Sequence, residues 1–125
     1  MCACNPAPAR IVSSETNMNL TVLSLFLLAH FSLFAISVPL AKKKVRPNAI
    51  YGFRTPKTLS SEPIWYEANS TFGRLMMRTM VVTAGLQVLA ALLLWGDRYP
   101  GVGTAILMVA VLVVVVRSFY RLSQL

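Results

Sequence analysis

Acid is scarce in this sequence. Its 125 residues carry four carboxylate side chains, Glu15, Glu62, Glu67 and Asp97, one histidine, His30, and two cysteines, Cys2 and Cys4. An ordinary hydrolase or metalloenzyme needs acids, bases or ligands grouped together, and this inventory offers too few. Cys2 and Cys4 read as incidental thiols, because their segment supplies no further soft ligands, and neither a metal nor a cofactor is expected. Charge of either sign is also sparse, at 13% of residues against roughly a quarter in a soluble domain. Glycine contributes no phosphate cradle, since Gly101 and Gly103 lack both a following strand-helix unit and a lysine.

What the chain has is apolar length and positive charge. Hydrophobic residues make up 56% of it, mean hydropathy is +0.63, and twelve lysines and arginines leave a net charge of +8. In a soluble chain that charge would point to nucleic acid, but this hydropathy points to the bilayer. Three uncharged runs follow, at 18–41, 79–95 and 101–116. The first, at ~1.5 Å per residue, makes about 36 Å of helix and can span the hydrocarbon with some tilt. Val114, Val115 and Val116 in the third favour a strand in water, yet a lone strand cannot satisfy its backbone in lipid, so helix is expected there too. Trp95 suits an interfacial belt and Arg117 can snorkel to the headgroups.

The first run is read as a retained anchor. It exceeds the apolar length of a signal peptide, and Lys42, Lys43 and Lys44 follow at once as a stop-transfer signal. Residues 1–17 lack apolar periodicity and are expected to be a disordered tail, or to precede a start at Met18. Between the second and third runs, residues 96–100 form a short polar turn that makes those helices antiparallel neighbours. Lys42, Lys43, Lys44, Arg46, Arg54, Lys57, Arg74 and Arg78 fall in the 42–78 loop, and Arg117 and Arg121 in the 117–125 tail, leaving Arg10 and Arg98 for the opposite side. The positive-inside rule then places the loop and C-terminus in the cytoplasm of a plasma (inner) membrane protein, and the N-terminus outside. The Asn69-Ser70-Thr71 sequon, on the cytoplasmic side, would never meet the glycosylating enzyme.

His30 lies ~18 Å into the first run, a depth at which an ionisable group calls for explanation. With no carboxylate in the membrane to receive a proton, a neutral imidazole bonded to a helix carbonyl or to Gln87 is favoured over a relay. Ala84, Gly85 and Ala91 offer small packing surfaces, so a homo-oligomer is open.

Residues 47–74 interleave Tyr51, Phe53, Ile64, Trp65, Tyr66 and Phe72 with Arg54, Lys57 and Arg74. Such a mixture belongs at a membrane surface or in a packed site. Pro47, Gly52 and Pro56 forbid a continuous helix in the first half. In the second, Ser60 or Ser61 can cap a helix that tolerates Pro63 in its first turn, with Glu62 at the positive end of its dipole. Trp65, Asn69 and Gly73 then share one stripe, facing either the bundle or the bilayer, and Gly73 permits a close approach or a bend into the second span.

The ordered series Pro47, Asn48, Tyr51, Gly52, Arg54, Thr55, Pro56, Thr58, Trp65, Asn69 and Gly73 resembles the signature of the SdpI family of small bacterial membrane proteins, named for an immunity protein against a secreted peptide toxin. Longer members carry further spans ahead of this region. The resemblance implies an integral membrane protein and, for the named member, protection against its own toxin together with sequestration of a transcriptional repressor protein at the membrane. The expected fold is thus an all-α integral membrane protein of three transmembrane helices, with a cytoplasmic loop containing a short amphipathic helix before the second span. The expected function is non-enzymatic immunity or signalling, with the lipid bilayer, a peptide toxin or a repressor as partners and no direct nucleic-acid contact. Arg54 is expected to present its planar fork to a phosphate, carboxylate or carbonyl, while Asn48 and Asn69 fix the turn. The competing readings are a small transporter or accessory subunit built around His30 and Gln87, and a protein that binds or modifies lipid headgroups at the loop.

Overall fold

The structure, a computed structural model, describes the backbone of residues 8–94 and 98–124, with side chains over 17–94 and 98–124. Cys2, Cys4, Trp95, Gly96, Asp97 and the Arg10 side chain lie outside the described residues. Three helices make up the fold: α1 (Pro8–Ala41), α2 (Glu62–Leu93) and α3 (Arg98–Ser123). No strand occurs among the described residues. Each helix is long and apolar enough to cross a membrane. α2 sits in the middle, packed on both neighbours, while α1 and α3 touch only lightly.

Every helix outruns the apolar segment that predicts it. α1 begins at Pro8, so residues 8–17 are helical where a disordered tail is expected. Once a span is formed, each added residue gains a hydrogen bond without a new nucleus, so a polar stretch can extend it. The short amphipathic helix and the second span are likewise one continuous α2, with no break at Gly73. Thirty-two residues make about 48 Å at ~1.5 Å each, so roughly a third of α2 projects beyond a ~30 Å hydrocarbon layer. α3 takes in Arg98, Tyr99 and Pro100 at one end and the tail to Ser123 at the other.

Burial is inverted relative to a protein in water. The apolar side chains Leu25, Phe31, Val82, Leu92, Met108 and Leu112 point outward, while Asn19, His30, Ser37, Thr83, Gln87 and Ser118 are buried between helices. In water such an arrangement would expose the large apolar patches that soluble monomers avoid. In a bilayer it is the low-energy solution, because lipid solvates the outer face and most of the buried polar side chains reach a carbonyl or a hydroxyl within the bundle. The protein is therefore a multi-pass membrane protein.

Most of these intramembrane polar groups pair locally, whereas Asn19 is buried with no hydrogen-bond partner among the described residues. His30 Nδ1 lies 2.7 Å from the Phe26 carbonyl oxygen, which only accepts, so Nδ1 carries the proton. Nε2, left as an acceptor, stands 3.0 Å from Thr83 Oγ1, whose one proton is shared between it and the Thr79 carbonyl at 2.8 Å. Gln87 does not meet His30; its Nε2 donates to the Gly103 carbonyl of α3 at 2.8 Å. Of the two partners expected for His30, the helix carbonyl is present and Gln87 is replaced by Thr83, one turn earlier on the same stripe.

Candidate functional site

The loop between α1 and α2 starts from a defined helix end. At the close of α1, the Lys44 amide donates to the Pro39 carbonyl and the Lys43 amide to that of Leu40, both at 3.0 Å. Lys43 has φ 55, so a lysine occupies the left-handed position that glycine usually fills in this terminating motif. Three consecutive ammonium groups at the negative end of the helix dipole help to offset that strain.

From there the chain folds back over the first turns of α2. Val45 offers its carbonyl to Trp65 Nε1 at 2.9 Å, and the indole is fully buried. Asn48 organises the next turn: its Oδ1 accepts from the Ile50 and Tyr51 amides at 2.9 and 2.7 Å, and its Nδ2 donates to the Arg46 carbonyl. Gly52 follows at φ 117, a conformation that other residues rarely adopt. A Cβ there would also lie 3.2 Å from the Trp65 ring and collide with Asn69 Oδ1 at 2.5 Å.

Asn69 joins the two halves of the site. Its Oδ1 accepts from the Phe53 amide at 2.6 Å, and its Nδ2 donates to the Phe53 carbonyl at 3.3 Å and to the Trp65 carbonyl at 3.0 Å. One side-chain amide thereby satisfies both backbone groups of Phe53, as a neighbouring strand would. The Phe53 ring stacks on Phe72 at 5.5 Å and meets Phe119 of α3 edge-on at 5.1 Å, so the loop touches α3 as well. The chain then tightens through Thr55, Pro56, Lys57 and Thr58. Thr58 Oγ1 accepts from the Thr55 amide at 2.8 Å and donates to the Thr55 carbonyl at 3.0 Å, and Thr58 is fully buried. Ser61 is the N-cap of α2 in extended conformation, with Pro63 in the first turn, though its hydroxyl makes no capping bond.

The structure thus brings Asn48, Tyr51, Gly52, Thr55, Thr58, Trp65 and Asn69 into one packed unit. The stripe through Trp65, Asn69 and Gly73 faces the protein and continues down α2 through Met76, Met80, Thr83 and Gln87. Gly73 stands apart from the loop, beneath the end of α1. Pro56 lies exposed in the turn and Arg54 points into solvent; among the described residues Arg54 has no ion-pair or hydrogen-bond partner. Tyr51 keeps its hydroxyl buried without a partner among those residues, and burial pushes its pKa above the usual phenol value.

Sequence reasoning misses three contributors: Val45 as acceptor for the indole, Phe119 as the α3 edge of the aromatic group, and Ser70, fully buried beside Asn69. Only the alternation of aromatic and basic residues hints at the second. The Lys43–Glu67 ion pair, 3.0 Å long, is about half exposed on both sides. Such pairs contribute about 0–1 kcal/mol. Glu67→Gln should therefore leave the thermal midpoint in detergent nearly unchanged, and a drop of many degrees would contradict this reading.

Among the described residues no three His, Cys, Asp or Glu side chains gather as metal ligands. No curated protein and no solved structure matches the chain. The site's own elements do match a family: residues 44–121, which run from the end of the lysine cluster through the loop and α2 to the last turn of α3, fit the model of the SdpI/YfhL protein family, and the chain belongs to that family.

Proposed function

We propose that this protein is a non-enzymatic immunity or signalling component of a bacterial plasma (inner) membrane, acting through the loop that covers the start of α2. The observation that carries the reading is the contrast within that loop. Asn48, Thr55 and Thr58 of the loop, with Trp65 and Asn69 of α2 beneath it, spend their hydrogen bonds on holding the turn, whereas the Arg54 guanidinium is held out by that turn with all its donors free among the described residues. A planar fork loses less entropy per hydrogen bond formed than a lysine does on engaging a carboxylate or carbonyl, and charge-assisted bonds are about twice as strong as neutral ones. A membrane-active peptide toxin or a repressor protein offers such acceptors. The excess of cations in the loop and at the C-terminus supports a cytoplasmic location for both, with the N-terminus outside.

The test is protection. Susceptible cells producing this protein are challenged with membrane-active peptide toxins, alongside cells producing Arg54→Ala or Arg54→Lys at equal membrane levels. Loss of protection in both variants, with helix content unchanged, is the expected result, because lysine keeps the charge and loses the fork. Full protection by Arg54→Lys would remove the fork from the mechanism. No protection against any toxin by the unaltered protein would favour signalling through a repressor over immunity.

A further inference from the structure

Arg54 is not the only cation left unanswered. Arg74 and Arg78 lie one turn apart on α2, and Arg117 and Arg121 one turn apart on α3. All four line an open cleft of about 680 Å³ between the two helices at the loop end of the bundle. Glu67 is the acid among the lining residues, and it is engaged by Lys43. Among the described residues no carboxylate comes within ion-pair distance of any of the four guanidiniums, and Arg74 makes a single long bond, 3.4 Å, to Thr71 Oγ1. Thr71, Ser118 and Tyr120 add hydroxyls to the same walls.

This grouping is unfavourable for the protein alone. Like charges at i,i+4 destabilise a helix by about 0.2–0.5 kcal/mol per pair, and here two such pairs also face each other across one cleft. Position matters as much as number. The apolar runs of α2 and α3 end beside Arg78 and Arg117, which puts those two at the depth of the phosphate layer, with Arg74 and Arg121 one turn (~6 Å) further out. A snorkelling arginine needs only an ordinary phosphodiester, which carries one negative charge. Four forks in one cleft are matched by a group carrying more.

We propose that the cleft binds a terminal phosphate group of two or more negative charges, a phosphomonoester or a diphosphate, clamped bidentately between the α2 and α3 arginines. The same chemistry is carried by a lipid whose headgroup ends in such a phosphate and by a soluble phosphate compound. Arg54 does not line the cleft, so protection and phosphate binding can fail separately.

The full chain, purified in detergent, is titrated with inorganic pyrophosphate while thermal unfolding is followed. In parallel it is placed in phosphatidylcholine vesicles doped with equal fractions of phosphatidic acid, a monoester, or phosphatidylglycerol, a diester, and the lipid it retains is quantified. The expected results are saturable stabilisation by pyrophosphate and about tenfold greater retention of phosphatidic acid, both lost in Arg78→Ala/Arg117→Ala. A response to pyrophosphate alone assigns the soluble source, and a phosphatidic-acid preference alone assigns the lipid. Equal retention of the two lipids with no pyrophosphate response overturns the proposal, as does an intact response in the double variant. If that variant does not fold, Arg121→Ala, at the exposed rim of the cleft, should still weaken the response.

Discussion

Gly73→Leu should prevent α1 from seating on α2. A Cβ at Gly73 would lie 2.6 Å from the Ala41 backbone nitrogen, 2.8 Å from the Ser37 carbonyl oxygen and 3.1 Å from the Ala41 Cα. All three are main-chain atoms of α1, so no side chain can rotate aside, and the helices must part by about 1 Å to restore ordinary contact at 3.5–4.0 Å. Overpacking of this kind costs about 1–3 kcal/mol for a single methyl, and leucine exceeds that because its further atoms enter the same space. The damage would spread, since the end of α1 carries Lys43 and Val45 and so sets the acceptor for the Trp65 indole. Gly85 is the control on the same helix: a Cβ there meets nothing within 4 Å. In detergent, Gly73→Ala should lower the thermal midpoint, Gly73→Leu should lower it further or abolish the transition, and Gly85→Ala should leave it unchanged or slightly raised, because alanine is the better helix former. Equal midpoints for the two alanine variants would sink the close-approach argument.

Asn69→Leu should release the loop while leaving the three helices in place. Leucine has similar bulk and none of the hydrogen bonds, so the Phe53 amide and carbonyl lose their partners together, along with the contact to the Trp65 carbonyl. An unsatisfied buried group costs about 1–3 kcal/mol; losing two would reach several kcal/mol if water stayed out, and less as the loop opens to water. Every ~1.4 kcal/mol is tenfold in an opening equilibrium, so exchange of the Phe53 amide should accelerate by about ten- to a thousandfold. Amides in the middle of α2 should be unaffected. Asn69→Asp separates the contributions: it keeps an acceptor for the Phe53 amide but loses both donated bonds and places a charge at a residue 2% exposed. Unaltered exchange at Phe53 in the leucine variant would show that the Phe53–Phe72–Phe119 stack, not Asn69, holds the loop.

Comparing the two residues shows what kind of information the sequence carries. The spacing of Trp65, Asn69 and Gly73 places them on one stripe by helical geometry alone, and the family signature picks them out. Neither tells that the stripe faces protein, that Asn69 serves Phe53 sixteen residues away, or that the space at Gly73 is filled by the backbone of another helix. Those facts depend on two segments meeting, and each segment is compatible with several partners. His30 makes the same point: a carbonyl of its own helix was within local reach and is used, whereas the choice of Thr83 over Gln87 depended on how α1 and α2 align. The helical state of residues 8–17, and the fusion of the amphipathic segment with the second span, were hidden for a related reason. Local polarity marks where lipid ends, and a helix continues past that point for as long as its hydrogen bonds propagate.

The shortage of acid with which the chain first presents itself has two consequences of different origin. By itself the sequence determined the class: long uncharged runs must become helices in lipid because no other lone segment satisfies its backbone there, and with so few carboxylates most of the twelve cations have no counter-ion within the chain. The tertiary structure decided where the unanswered charge collects. Antiparallel packing of α2 and α3 brings Arg74 and Arg78 beside Arg117 and Arg121, and the folded loop holds Arg54 clear of both. Coulomb interaction depends on distance in space, and for residues some forty positions apart only the packing of helices sets that distance.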